Sequence, residues 1–227
     1  MISKKPILLN IETSTRNCSV SVTRGDQLIA EKSVLSEKYL HSEILTNLIS
    51  NLFNDIDLEL NDLDAVSVGM GPGSYTGLRI GVSTAKGLCY ALEIPLISVS
   101  SLKSMSLMIS KRYNNYDLFC PMIDARRMEV YSAFYNSENK IIRDVRADII
   151  TDGIYKIFLK QKVLFFGDGS LKCKEIINSE NAYFLDNIFP NSCSMIEISY
   201  SKYVNSQFED LAYFEPFYLK DFVLGKK

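Results

Sequence analysis

The sequence is short of histidine and of net charge, and each shortage excludes a class of protein. His41 is the only histidine among the 227 residues, so a zinc site built from several histidines and the HExxH motif of metallopeptidases are excluded. Lysine and arginine total 25 against 27 aspartate and glutamate residues, which leaves a formal net charge of −2 at neutral pH. Because nucleic-acid binding depends on many cationic contacts to phosphate, we expect no broad nucleic-acid-binding face.

Closely spaced cysteines and long apolar runs are also lacking. A zinc knuckle or a redox dithiol needs closely spaced thiols, and a disulfide framework needs more cysteines in a shorter chain. The apolar run that begins at Ile7 ends at Glu12, which is too short for an export signal or a membrane span. We therefore expect a cytoplasmic protein, without membrane association, whose cysteines are single thiols: Cys18, Cys89, Cys120, Cys173 and Cys193.

Hydrophobic periodicity in the first half predicts three strands followed by alternating helices and strands. Period-two alternation and a turn at Arg24-Gly25-Asp26 indicate an antiparallel meander. Apolar residues spaced along one stripe then predict two helices, each followed by a strand. The predicted elements are strands Ile7–Glu12, Cys18–Thr23 and Gln27–Leu35, helix Tyr39–Asp55, strand Asp64–Met70, helix Gly77–Leu92 and strand Pro95–Val99.

The second half repeats the order of these elements without repeating the sequence. It begins with a second meander, continues with two short helices around a strand, and ends with a helix and an extended tail. The elements are strands Leu118–Asp124, Met128–Tyr135 and Lys140–Val145, helix Ile154–Leu159, strand Val163–Phe166, helices Leu171–Ile177 and Met195–Phe208, and the tail Glu215–Leu219. We predict two related α/β lobes, residues 1–104 and a reduced lobe 105–227, with the last helix able to pack back on the first lobe.

The loop from Gly69 to Arg79, GMGPGSYTGLR, is the most distinctive stretch. It is no Walker A loop, because no Gly-Lys-Ser/Thr follows, and it lacks the third glycine of the dinucleotide fingerprint. A GxSxG nucleophile elbow fails too, since Pro72 takes the place of the first glycine. The pattern favours a tight turn with Ser74 or Thr76 as helix N-cap over an anion-binding loop at the helix N-terminus, which remains the alternative.

The helix after this loop contains an unusual number of small residues. Each interior glycine costs about 1 kcal/mol of helix stability relative to alanine, so Gly81 and Gly87 need compensation. Close approach of another backbone would supply it, either from the preceding helix or from a partner protein. The outward-facing residues Ile80, Thr84 and Tyr90 are more apolar than a solvated face requires, which indicates a protein interface.

Two further features have catalytic interpretations, and for both we favour a structural one. A nucleophilic triad would have to recruit His41, but a histidine in the first turns of an amphipathic helix is usually solvated or a packing residue. Glu12 ends the first strand, and Asp124 stands at the matching point of the second half. In actin-like and ribonuclease-H-like sheets such a residue commonly holds a metal with nucleotide. We interpret the following set as a vestigial nucleotide or phosphate loop and expect no metal: Glu12, Thr13, Ser14, Gly71, Gly73 and Ser74.

Four sequence blocks resemble the signatures of the bacterial TsaB family, also called YeaZ. They occur in the family's order and span nearly the whole chain. The blocks are Ile11–Ser14, Gly69–Gly81, Ile123–Tyr131 and Glu215–Leu219. One departure is Glu12, where the family usually has aspartate, and the extra methylene argues against a retained metal or nucleotide role.

The resemblance implies an actin-like (ASKHA) fold with a reduced second lobe and a non-catalytic role. TsaB is a paralogue of TsaD, which transfers a threonylcarbamoyl group to the adenosine 3′ of the anticodon in tRNAs reading codons that start with A. TsaD holds its metal through a histidine pair, which His41 alone cannot supply. The resemblance therefore implies a subunit that binds and activates TsaD and is joined by the ATPase TsaE. When TsaD is absent we expect a homodimer through the same helices, because an exposed apolar helix pair self-associates. It implies no cofactor on this chain, with ATP, ADP and metal on TsaD and TsaE, and contact with tRNA only through the complex.

Carried onto this chain, the resemblance places the partner interface on the two first-lobe helices. The residues implied are His41, Ile44, Leu45, Leu48, Gly77, Ile80, Gly81, Thr84, Gly87 and Tyr90. The alternative is a self-sufficient enzyme, either an ATP-dependent actin-like kinase or a glycoprotease-like hydrolase. Incomplete phosphate loops argue against the kinase and missing metal ligands against the hydrolase.

Overall fold

The computed structural model describes residues 5–36 and 40–220, and it divides into two compact units. The first unit takes the chain up to Ser104 together with Pro190–Pro216. The second unit runs from Met105 to Phe189 and includes Phe217. The last helix therefore belongs to the first unit.

The first unit is built on a five-stranded mixed sheet. Its strands are β1 (Ile7–Glu12), β2 (Asn17–Arg24), β3 (Gln27–Leu35), β4 (Ala65–Gly71) and β5 (Leu96–Ser100), in the order β3-β2-β1-β4-β5. β2 is antiparallel to β1 and β3, whereas β4 and β5 run parallel to β1 and to each other. All six residues of β1 are buried, as expected for a central strand covered on both faces.

Two amphipathic helices cover one face of this sheet. They are α1 (His41–Asn54) and α2 (Tyr75–Leu92), and a 3₁₀ turn, Leu60–Asp62, lies between α1 and β4. Their apolar stripes pack with the odd-numbered residues of β1 in one core that includes Leu9, Leu45 and Val82. Both predicted helices are confirmed, although the predicted start at Tyr39 lies outside the described residues.

Two more helices follow β5 along the chain. Helix α3 (Ser101–Arg112) was not predicted, because its serines and lysines hide the apolar periodicity on which a prediction depends. Helix α4 (Ile196–Val204) is shorter than the predicted Met195–Phe208. The 3₁₀ turn Ser192–Met195 precedes it, and Ser206, with a φ of 52°, follows its C-terminal end. Met195 packs with Leu8 and Val99 on the face opposite α1 and α2. The second face of the sheet is therefore covered by the returning chain.

The second unit repeats the strand order with fewer helices. Its sheet has the order β10-β9-β6-β7-β8, formed by β6 (Leu118–Asp124), β7 (Glu129–Asn136), β8 (Ile141–Ile149), β9 (Val163–Phe166) and β10 (Ala182–Leu185). The meander is confirmed, and β10 was missed. The predicted helices Ile154–Leu159 and Leu171–Ile177 are wrong: the first segment forms turns and the second a 3₁₀ turn, Leu171–Cys173. Apolar runs this short rarely sustain a helix.

The shared strand order identifies the fold class. In both units a three-strand meander is followed by two strands parallel to the first, in the order 3-2-1-4-5. This is the topology of the actin-like and ribonuclease-H-like folds. In the described chain from Leu118 to Phe189 no α-helix forms. The predicted fold class, with a reduced second lobe, is therefore confirmed.

Candidate functional site

The carboxyl group of Glu12 lies inside the first unit. Glu12 ends β1 and is fully buried. Its Oε1 accepts a hydrogen bond from the Ser14 backbone N–H at 2.7 Å, and its Oε2 accepts one from the Ser101 hydroxyl at 2.7 Å. Burial raises the pKa of Glu12 above its usual value, and these two hydrogen bonds oppose that rise. The carboxyl group thus ties the β1–β2 turn to the first residue of α3.

Gly69 in β4 makes room for this carboxyl group. A Cβ atom at Gly69 would overlap both carboxyl oxygens of Glu12. The space beside the strand end is therefore filled by the protein's own side chain. The Glu12 carboxyl group is thus held by Ser14 and Ser101, and the interpretation of the loop as vestigial stays a prediction.

The β1–β2 turn also packs against the start of α2. The Ser14 carbonyl accepts a hydrogen bond from the Ser74 N–H at 2.7 Å, and a Cβ at Gly73 would overlap that same carbonyl. Ser74 caps α2, since its Oγ accepts a hydrogen bond from the Gly77 N–H at 3.2 Å, as predicted. The first three residues of the predicted loop, Gly69–Gly71, belong to β4, and the part that follows packs against the backbone of Ser14.

Two glycines of α2 are explained by close packing within the first unit. A Cβ at Gly77 would overlap the Thr13 carbonyl oxygen, and a Cβ at Gly81 would overlap the Thr13 hydroxyl. The neighbour is Thr13 of the β1–β2 turn, through its backbone at Gly77 and its side chain at Gly81, and not the backbone of the preceding helix. Gly87 differs, because a Cβ there would meet nothing within 4 Å. The helix cost of Gly87 is not offset by close packing within the described residues.

His41 belongs to the same packed cluster. It is the first residue of α1 and is only 1% exposed. Its Nε2 lies 2.7 Å from the Thr15 carbonyl oxygen, which can only accept, so Nε2 carries a proton. Burial lowers the pKa of His41, and the carbonyls of Thr15 and Thr13 oppose that shift. The geometry fits a packing histidine that fixes the start of α1.

Asp124, the matching residue of the second unit, is held differently. Its Oδ1 accepts hydrogen bonds from the Lys172 ammonium at 2.6 Å and from the Arg126 N–H at 2.6 Å. Lys172 also donates to the carbonyls of Arg127 and Glu129. Asp124 is exposed, and its carboxylate forms an ion pair with Lys172. Within residues 5–36 and 40–220, no group of three or more His, Cys, Asp or Glu side chains is placed to hold a metal ion.

The predicted interface residues divide by exposure. His41, Leu45, Leu48, Gly77 and Gly81 are buried within the first unit. Ile44, Ile80 and Thr84 are half-buried, whereas Gly87 is exposed and Tyr90 is 80% exposed. The exposed and half-buried members lie on the outer surface of α1 and α2, which we call the α1–α2 face. The partner contact itself stays a prediction, and the buried members would act on it only by supporting these helices.

A groove that was not predicted adjoins this face at Thr84. It has a volume of about 690 Å³ between the C-terminal halves of α1 and α2 and the segment 58–61. Its lining residues are Thr46, Ile49, Ser50, Phe53, Asn54, Leu58, Glu59, Leu60, Asn61, Thr84, Leu88 and Leu92. The sequence did carry a signal, because Phe53, Leu88 and Leu92 extend the apolar stripes to the helix ends.

No helix in the described part of the chain combines the length and hydrophobicity that crossing a membrane requires.

Comparisons with known proteins place the chain in a family. The sequence profile described as "TsaD: tRNA N6-adenosine threonylcarbamoyltransferase" matches residues 33–216. The Bacillus subtilis tRNA threonylcarbamoyladenosine biosynthesis protein TsaB is 35% identical over 175 residues, 75% of this chain and 74% of the relative. The Haemophilus influenzae protein of the same name is 27% identical over 97% of this chain and 96% of its own length. The solved structure of YeaZ from Pseudomonas aeruginosa shares the fold, with a TM-score of 0.79 at 22% identity over 94% of this chain and all of that one. The chain belongs to the family that this profile describes and, within it, to the TsaB (YeaZ) group.

Proposed function

We propose that the chain is a non-catalytic subunit of the machinery that makes threonylcarbamoyladenosine in tRNA. In this proposal it binds and activates TsaD, which transfers threonylcarbamoyl to the adenosine 3′ of the anticodon in tRNAs reading codons that start with A. The single observation that carries the proposal is the closed strand end of β1, where Glu12 is held by Ser14 and Ser101. The names of the TsaB relatives support the pathway.

Three groups that could have served catalysis are engaged in structure. Glu12 is buried, Asp124 is paired with Lys172, and the His41 ring donates to a backbone carbonyl. A histidine-pair metal site of the TsaD type would need a second histidine, and the sequence has one. These engagements favour a role in which the chain acts through its surface.

The α1–α2 face is the surface that we assign to TsaD. Tyr90 is 80% exposed there, and aromatic side chains of this kind commonly dominate binding energy at protein interfaces. The face is rigidly supported, because the β1–β2 turn packs against the first half of α2 at Gly77 and Gly81. In the proposed complex TsaE joins the pair in the cytoplasm, and tRNA is contacted only through the assembly. An exposed apolar helix face also favours a homodimer when TsaD is absent.

Binding to TsaD from the same organism tests the proposal. We expect a complex in sedimentation velocity and isothermal titration calorimetry, and we expect Tyr90→Asp to weaken it at least tenfold. The matched control is Ile157→Asp, which places the same charge on a 70% exposed apolar residue of the second unit. The proposal fails if the wild-type chain forms no complex, or if the control weakens binding as much as Tyr90→Asp.

The alternative of a stand-alone kinase or hydrolase is tested with the same preparation. We expect the isolated chain to hydrolyse neither ATP nor peptides. Robust turnover that co-purifies with the chain through ion exchange and sizing would instead support a self-sufficient enzyme.

A further inference from the structure

The turn between β6 and β7 contains two arginines in an unfavourable backbone conformation. Arg126 has a φ of 68° and Arg127 a φ of 48°. Residues with a side chain are disfavoured in this left-handed region, which glycine enters freely and asparagine tolerates. Both positions therefore have arginine where glycine or asparagine would be less strained. Strain of this kind indicates that the two side chains have a function.

Lys172 fixes the backbone of this turn. Its ammonium group donates to the Asp124 carboxylate at 2.6 Å, to the Arg127 carbonyl at 2.7 Å and to the Glu129 carbonyl at 2.8 Å. An ammonium group has three N–H donors, so all three are used here. The Asp124 carboxylate also accepts a hydrogen bond from the Arg126 N–H at 2.6 Å. The turn is thus ordered before any ligand arrives, which lowers the entropy cost of binding.

The charges at the base of the turn are paired, whereas the two arginines are not. Asp124 forms an ion pair with Lys172 at 2.6 Å, and Glu129 forms one with Lys220. The third carboxylate is that of Asp168, which accepts a hydrogen bond from the Asp124 N–H at 3.2 Å. Both arginines are exposed, and neither forms an ion pair or a side-chain hydrogen bond within residues 5–36 and 40–220. Among these residues the four cations outnumber the three carboxylates, so the turn is positive although the whole chain is close to neutral.

We propose that this turn binds phosphate groups of an RNA backbone through Arg126 and Arg127. A guanidinium group is planar, and its parallel N–H groups match two oxygens of one phosphate. The inference rests on the proposed function, in which the RNA is the tRNA that the assembly with TsaD modifies. It deepens that function by giving this chain a direct contact with the tRNA inside the assembly.

The surface of the turn favours RNA over an acidic protein as the ligand. Its exposed residues are Arg126, Arg127 and Met128, of which only Met128 is apolar. The centre of a protein interface is a buried apolar patch, which one methionine does not provide. Phosphate contacts need only cationic groups in fixed positions, and they position a nucleic acid without reading its sequence.

Two phosphate contacts are too few for the isolated chain to hold RNA. The formal net charge of −2 also argues against a broad RNA-binding face on this chain. We therefore expect measurable binding only when TsaD supplies the other contacts. In that complex, loss of both arginines should make the slope of log affinity against log salt concentration shallower by about 1.5.

The test removes both charges and relieves the backbone at the same time. The variant is Arg126→Asn combined with Arg127→Gly, because asparagine and glycine accept a positive φ. We expect a higher urea midpoint than that of the wild type and normal binding to TsaD. At about 0.1 M salt, the complex of this variant with TsaD should bind unmodified tRNA at least tenfold more weakly in fluorescence anisotropy. In the transfer reaction the KM for tRNA should rise with kcat unchanged, because the turn contacts the bound tRNA in the ground state and in the transition state alike.

The matched control removes two positive charges at the opposite end of the same sheet. Lys160 and Lys162 are exposed, and the Lys162 carbonyl accepts a hydrogen bond from the N–H of Leu118, the first residue of β6, at 3.1 Å. The arginine turn follows the last residue of β6. We expect Lys160→Asn with Lys162→Asn to bind tRNA like the wild type. An equal loss in both variants would show a dependence on net charge alone and would overturn the inference.

The outcomes separate the inference from the proposed function. If the arginine variant binds TsaD and its complex binds tRNA like the wild type, the inference is overturned and the proposed function stands. If the variant loses TsaD binding, the turn contacts protein and the inference is also overturned. If inorganic phosphate or ATP shifts the NMR signals of the turn while the tRNA affinity of the variant is unchanged, the ligand is a free phosphate compound and not RNA. If the wild-type chain does not bind TsaD, the inference and the proposed function both fall.

Discussion

Alanine substitution of the α2 glycines is expected to change stability in opposite directions along one helix. At Gly77 a new Cβ would lie nearer than 3.0 Å to the Thr13 carbonyl oxygen, and at Gly81 nearer than 3.0 Å to the Thr13 hydroxyl. At Gly87 it would meet nothing within 4 Å. Gly81 and Gly87 are both interior to α2, so alanine brings a similar helix-forming benefit at these two positions, and their difference measures the packing against Thr13. Gly77 is the third residue of α2, where that benefit is smaller.

The magnitudes follow from two opposing effects. Alanine in place of an interior glycine adds about 1 kcal/mol of helix stability. Overpacking a tight contact costs about 1 to 3 kcal/mol, with the upper end expected where the obstacle is backbone. We therefore expect Gly87→Ala to raise the free energy of unfolding by about 1 kcal/mol. Gly77→Ala should lower it by at least about 2 kcal/mol, because the overpacking cost there is offset by no more than the interior helix benefit.

Urea denaturation followed by circular dichroism measures these changes. A double-mutant cycle separates the two contacts, because Thr13→Ala removes the hydroxyl but keeps the carbonyl. We expect Thr13→Ala to relieve the defect of Gly81→Ala and not that of Gly77→Ala, with a coupling of about 0.5 to 3 kcal/mol. The reasoning is refuted if Gly77→Ala stabilises as much as Gly87→Ala, or if Thr13→Ala relieves both variants equally.

The same pair of positions separates folding from partner binding. A bulky residue at Gly81 acts on internal packing, so it cannot by itself report on an interface. Gly87 is exposed on the α1–α2 face. We expect Gly87→Trp to weaken TsaD binding with a urea midpoint no lower than that of the wild type, since tryptophan also removes part of the helix cost of glycine.

Three further predictions concern titration and the C-terminal segment. Because burial lowers the pKa of His41, stability should fall as the pH drops below about 6.5, and the NMR titration of this single imidazole should have its midpoint below 6.5. Burial raises the pKa of Glu12, so its contribution to stability should fall as the pH rises above about 4.5. Glu12→Gln should remove this pH dependence. The reasoning is contradicted if the urea midpoints of the two proteins change with pH in the same way. Lys86→Met removes the hydrogen bonds to the carbonyls of Ala212 and Phe214, and it should cost about 1 kcal/mol and speed proteolysis after Ala212.

Periodicity was sufficient for most of the first unit. The alternation of Cys18–Thr23 predicted β2, and the apolar stripes predicted α1 and α2, because these patterns record which face meets a core. The pattern does not reveal what covers the polar face. Ser19 accepts a hydrogen bond from the Ser192 N–H at 2.8 Å, and Ser67 pairs with Ser199 at 2.7 Å. Both partners lie more than a hundred residues further along the chain, so a local pattern carries no information about them.

Helix α3 and the second unit show where hydrophobic periodicity fails to predict secondary structure. In α3 the serines Ser101 and Ser104 are buried because their hydroxyls are hydrogen-bonded, to Glu12 and to the Ser101 carbonyl. A pattern based on apolar residues misses such a face. In Ile154–Leu159 the apolar residues pack against the second core from turns, so the apolar content was interpreted correctly and the backbone conformation was not.

The sequence predicted which residues form the candidate site but not the direction in which they face. The acidic residue at the end of β1 and the glycines of α2 were both identified, since strand ends and interior glycines are visible in one dimension. Their meaning depended on direction: the Glu12 carboxyl group faces inward, and Gly77 and Gly81 face the β1–β2 turn. Only a three-dimensional arrangement shows that Gly69 makes room for Glu12 and that Gly77 and Gly81 make room for Thr13.

The central claim is that the chain acts through its α1–α2 face and not through a reaction site of its own. Reconstituted threonylcarbamoyl transfer to tRNA by TsaD and TsaE, with and without the chain, tests it most directly. We expect the modification rate to depend on the chain, to survive Glu12→Gln, and to be lost with Tyr90→Asp. A rate that Glu12→Gln abolishes and Tyr90→Asp leaves unchanged would contradict the account.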